Sequence, residues 1–160
     1  MATISGHASV YVPAAGGSLL SSRFTRAASQ SLNNLTWTAI LWDTIDWDDL
    51  GIAPVAGLVT FLAPGTYTIQ AFATIDGIPQ VGWDVTIQLH PMNSDSNDTG
   101  QPEFANGVTG SGATIGVNTT GTHRFRAADS LNVLAIQNSG AVGSVDAASV
   151  VITKISDKTY

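Results

Sequence analysis

The chain has 160 residues, of which 44% are hydrophobic and only 11% charged, with a net charge of −6. That length suits one domain burying about two-thirds of its unfolded surface. The acidic balance and scattered basic residues exclude a role centred on nucleic-acid phosphates, which need clustered Lys and Arg, and the lack of cysteine excludes disulfides and thiolate metal sites.

In chain order, residues 1–22 read as an N-terminal arm, and 23–160 as the folded domain. Within the arm, Val10, Tyr11 and Val12 form a short β-type run, but Pro13, Gly16 and Gly17 break any regular continuation. The stretch after Met1 lacks a basic start followed by a continuous apolar run, so neither a secretory signal nor a membrane span is expected. Synthesis in a cytoplasm follows from that reading, with exit, if any, by lysis.

Strand-like segments separated by Gly, Pro, Asn and Asp then succeed one another. Residues 35–42 (LTWTAILW) are rich in aromatic and β-branched types and run into the turn-prone acidic stretch DTIDWDDLG. Residues 58–64 read as a strand stopped by Pro64-Gly65. Residues 66–75 alternate cleanly: Tyr67, Ile69, Ala71, Ala73 and Ile75 oppose Thr66, Thr68, Gln70, Phe72 and Thr74. Residues 83–90 alternate likewise, with Trp83, Val85, Ile87 and Leu89 on one face. Residues 91–112 form the longest irregular region and the best loop candidate. Four further strands fall in ATIGVN, THRFRAA, LNVLAIQN and ASVVITKI. In the third of these, both faces are largely apolar, which predicts cover on both sides. Many short strands without intervening helices predict a sandwich or barrel.

Candidate chemistry is sparse. Asp43, Asp46, Asp48 and Asp49 offer the clustered oxygens a calcium ion wants; a solvated acidic turn explains them more simply. Asp95 to Gly100 echoes half a calcium loop, but Asn106 stands where a bidentate Glu is required. His7, His90 and His123 show no ligand spacing, and no nucleophile elbow or phosphate-binding glycine loop appears. No catalytic residue, metal or cofactor is assigned. Of the four tryptophans, Trp37 and Trp83 lie in apolar alternations that suit a core or interface, whereas Trp47 among the aspartates is the one expected to be exposed.

The order of these pieces resembles the TNF-like family, and within it the globular head of complement component q. The residues that carry the resemblance are RFTR, NNLTWTAILWDTIDWDDLG, VTFLAPGTYTIQAFATI, WDVTIQLHPMN, THRFRAADSLNVLAIQNSG and ASVVITKI, spanning about residues 23–155. Ala128-Asp129 departs from the family's usual Gly-Asp turn, and Ser149, Val150 and Val151 stand where an aromatic is common. The resemblance implies an all-β jelly-roll sandwich of about ten strands, behind the extended N-terminal arm, that assembles as a homotrimer and binds rather than catalyses. Trp37, Phe61, Tyr67, Phe72, Leu134 and Ile136 are the candidates for core or trimer contacts, and Val10, Tyr11, Val12 and Trp47 those for partner contacts.

The resemblance, together with the low charge, the arm and the lack of a secretion signal or catalytic constellation, implies a bacteriophage capsid decoration (cement) protein on the virion exterior. Its partners would be itself and a major capsid protein, with no nucleic acid and no membrane. The alternative is a receptor-binding or carbohydrate-binding tip of a phage fibre, using residues 91–112 and Trp47.

Overall fold

The computed structural model describes residues 19–76, 82–93, 103–110 and 113–157. The expected strand run at Val10, Tyr11 and Val12, His7, and the half-motif at Asp95 to Gly100 lie outside them.

The described residues form eleven strands in two antiparallel sheets: β1 (Ser21–Arg26), β2 (Gln30–Leu32), β3 (Thr38–Ala39), β4 (Thr44–Asp48), β5 (Val59–Thr60), β6 (Gly65–Asp76), β7 (Trp83–Met92), β8 (Phe104–Gly110), β9 (Thr114–Phe125), β10 (Ser130–Gln137) and β11 (Gly143–Ser156). The larger sheet runs β4-β1-β11-β6-β9, with β2 also on β11; the smaller runs β3-β10-β7-β8, with β5 also on β10. Apart from consecutive β7 and β8, neighbours in each sheet are not successive in the chain, as in a jelly roll. Ser21 and Ser22, which the sequence reading gave to the arm, open β1 and pair with Thr153 and Ile152.

The two-residue period that marks 66–75 and 83–90 is the period of burial. Tyr67, Ile69, Ala71, Ala73 and Ile75 of β6 meet Trp83, Val85, Ile87 and Leu89 of β7 in one core shared by both sheets. At one end of that core, Phe61 stacks on Phe125 with centroids 3.8 Å apart, and Tyr67 tilts against Phe61 at 4.7 Å. The Tyr67 hydroxyl donates to Ala63 O at 2.7 Å, which satisfies the polar tip of a buried ring. Burial pushes that phenol's pKa up to about 12, with a further contribution from Asp157.

Three expectations need correction. The acidic stretch read as a turn contains β4, an edge strand exposed along nearly its whole length, so its alternation of Ile45 and Trp47 with polar residues marks no buried face. Residues 91–112, read as irregular, begin with the end of β7 and include β8, a strand of small and polar residues. Residues 35–42, read as one strand, form a ladder only at Thr38 and Ala39, flanked by single hydrogen bonds from the Leu35 and Ile40 amides to β10, and Leu35 adopts a positive φ of 55°.

Candidate functional site

With the inward-facing residues spent on the core, the faces left for function are the outward ones. On the larger sheet, side-by-side residues form transverse rows that follow from the register. One row is Ser21, Thr153, Thr68, Thr122; the next is Arg23, Val151, Gln70, Thr120; the third is Thr25, Ser149, Phe72, Asn118. From β11 across to β9 these rows carry no charge. Phe72 sits in the middle of β6 and is 43% exposed. Together with Gln70, Asn118, Thr120, Ser149 and Val151 it lines a shallow hollow of about 360 Å³. A bare Phe on a neutral sheet face leaves apolar surface in water, which burial against a partner removes.

Within these three rows charge is confined to the β4 margin; Arg124 near the end of β9 and Asp76 at the end of β6 lie on the same outward side beyond them. Arg23 pairs with Asp46 at 3.1 Å and lies over the Trp47 ring at 5.6 Å. Trp47 is 39% exposed, and its indole donates to Ser21 Oγ at 3.0 Å. The acidic residues here act as structural acceptors. Asp43 accepts the Ala28 and Ala27 amides, which hold its carboxyl below the usual carboxylate range. Asp48 accepts Ser22 Oγ at 2.5 Å and the Ile52 amide at 3.0 Å. Among the described residues no three His, Asp or Glu side chains gather as a metal site would require.

The remaining candidates divide by face. Phe61 and Tyr67 are core residues, 0% and 2% exposed. Trp37 is 45% exposed and is therefore not core. Leu134 and Ile136 are half-buried on the outward side of β10. Ile136 and the exposed Leu35 line a second hollow of about 170 Å³ on the smaller sheet. Its polar wall is already committed: the carboxylate of Asp84 accepts from Asn138 and Thr109, and buried Gln137 donates to Leu32 O and Ala141 O.

One residue without a specific role in the sequence reading stands out. His123 is 1% exposed, and among the described residues neither ring nitrogen has a hydrogen-bond partner. Burial alone lowers its pKa to about 4. Its signal was present in the alternation of β9, where His123 shares parity with core residues Val117 and Phe125.

This architecture is the all-β jelly roll of TNF-like and complement-q globular domains. No family model matches the sequence, and no curated protein matches it either. Solved structures do. Murine APRIL superposes with a TM-score of 0.59 at 11% identity, over 86% of this chain and 100% of that one. Eiger TNF from S. frugiperda gives 0.58 at 13% identity, over 89% and 96%. The globular domain of zebrafish complement 1qA gives 0.53 at 12%, over 85% and 96%. At such identities the likeness is one of fold.

Proposed function

We propose that the chain is a non-enzymatic structural protein that assembles as a homotrimer through the outward face of the larger sheet. In this reading it serves as a capsid decoration protein on the exterior of a bacteriophage. The observation that carries the self-association is the neutral face centred on exposed Phe72. Copies packed through it bury apolar surface without having to desolvate a charge, which would be costly. The chain's low overall charge fits the same reading.

The decoration role rests on less: the TNF-like motif order, the segment preceding β1, and polar side chains engaged in holding backbone rather than converging on a substrate. Its mechanism is mass action. A protein that binds only the assembled lattice stabilises it by its binding free energy, and three linked copies convert weak single contacts into a strong one through effective concentration.

Light scattering on the full chain and on a variant lacking residues 1–18, which leaves β1 whole, tests assembly, with a trimer expected for both. A monomer at micromolar concentration removes the proposal's first half. Co-sedimentation with assembled capsids of the encoding virus, against the unassembled capsid protein, tests the second half. Equal binding to both, or to neither, removes the decoration role.

A second reading, a glycan- or receptor-binding tip, draws on the exposure of Trp47. Arg23 already covers part of that ring, which reduces the face open to a sugar. Selective glycan-array binding that Trp47→Ala abolishes supports this reading over decoration.

A further inference from the structure

β8 is the edge strand of the smaller sheet and β9 that of the larger, so the two meet across the open side of the sandwich without a shared backbone ladder. Side chains close this seam. Thr119 Oγ1 donates to Phe104 O at 3.1 Å, and Asn106 Nδ2 donates to Asn118 O at 2.7 Å. The Phe104 ring packs onto Gly121 so closely that a Cβ there would overlap it. Behind Phe104 lies His123, with ring centroids 5.1 Å apart and planes at 88°. On its other side is Phe125, at 5.8 Å.

We infer that His123 is an acid-sensitive latch: the neutral imidazole lets Phe104 seal the β8–β9 seam, and a proton on it releases β8 from β9.

The argument is one of uncompensated charge. An imidazolium among Phe104, Phe125 and the β6 neighbour Tyr67 has no acceptor for either N–H among the described residues. Burying a charge without a partner is far costlier than exposing it. The charged groups nearby offer no rescue. On β6, the Tyr67 hydroxyl is turned to Ala63, and Lys154 of β11 lies over the Tyr67 ring as a second cation. Arg124 of β9 lies on the opposite face of its strand, and Asp129 accepts the Arg126 amide. At the start of β8, Glu103 is held by His90 and Gln88 on the outward side of β7. The cheapest way to hydrate the cation is to lift Phe104, which is only half-buried and sits on a strand hydrogen-bonded on one side. Because burial holds the imidazole's pKa down to about 4, the latch is shut at neutral pH.

An NMR titration of the full chain from about pH 7.5 to 4 tests this, following the histidine ring signals and the protection factors of backbone amides. Protection at residues 104–110 should fall about tenfold or more relative to β6 by about pH 4.5, as the His123 ring begins to titrate. His123→Phe, which fills the same cage without a proton site, should remove that fall, whereas His90→Gln should leave it. Titration of His123 near the ordinary histidine value would overturn the inference. So would β8 protection that keeps pace with β6 down to about pH 4, or an undiminished fall in His123→Phe. The first two results come from the unaltered protein, so the test survives a variant that fails to fold.

Discussion

Phe61 and Phe125 lie ring on ring, centroids 3.8 Å apart and planes 12° apart, and both are fully buried. The pair joins the loop after β5 to the end of β9, and so pins one end of the sandwich across both sheets. Replacing either ring by Ala removes a large buried side chain and leaves a cavity. Phe125→Ala and Phe61→Ala should each cost about 3–5 kcal/mol, measured by urea unfolding. The double variant should lose less than the sum, because the two rings share one contact.

A second prediction concerns the turn beside that pair. Ala128 has a φ of 71°, a left-handed conformation that an L side chain resists. The turn is locked regardless: the Ala128 amide donates to Phe61 O, the Phe61 amide to Asp129 O, and the Arg126 amide to Asp129 Oδ2. Glycine occupies this conformation without penalty, so Ala128→Gly should stabilise the protein by about 1 kcal/mol. A lowered thermal midpoint would show that the gain in backbone freedom on unfolding outweighs the relief of strain.

Phe72 supplies the third. Its ring is on the outward side of β6 and leaves the core untouched, so Phe72→Glu should change the stability of the fold by under about 1 kcal/mol. A carboxylate at the centre of the neutral face should weaken self-association at least about tenfold, equivalent to about 1.4 kcal/mol. Sedimentation velocity across a concentration series reads the second effect, and urea unfolding reads the first. Unchanged assembly moves the contact surface elsewhere on the molecule.

The fourth is a pH dependence of global stability. The folded state lowers the pKa of His123 to about 4 from the ordinary 6.5. The unfolded chain therefore takes up the proton first as pH falls. The neutral form's stability is fully present above about pH 6.5 and is lost progressively down to about pH 4. The loss amounts to at most about 3 kcal/mol, and less where local release of β8 hydrates the ring early. His123→Phe should flatten this part of the stability profile, as read by denaturant midpoints at stepped pH.

Alternation made β6 and β7 legible, because each has one face in the core and one outside, and their residues sort by parity. The same parity separates Tyr67 from Phe72, two aromatics in one strand with opposite fates. Parity fails where a strand has no buried face. β4 alternates Ile45 and Trp47 with Thr44, Asp46 and Asp48, but both apolar residues are exposed, and the acidic residues around them imitate a turn. β8 is hidden for another reason: its Gly107 and Gly110 are read as loop residues, yet both are where β8 runs close to neighbouring side chains. Trp37, read as core or interface from an apolar alternation, is exposed, which removes the core option and leaves the interface one. The neutral face was legible only in part. Its rows combine residues from β1, β11, β6 and β9, and no window along the chain contains them together.

The strand at the centre of the larger sheet is β11, paired with β1, β2 and β6 along its length. It is also the final strand of the domain to leave the ribosome. Until residues 143–156 emerge, β1 and β6 have no common neighbour, and the larger sheet is left in two separate pieces, β4-β1 and β6-β9. The larger sheet can therefore close only once residues 143–156 are available to join β1 to β6. A ribosome stalled before that point would hold a chain prone to sticking to others like it, and the cell's chaperones would have to keep it apart.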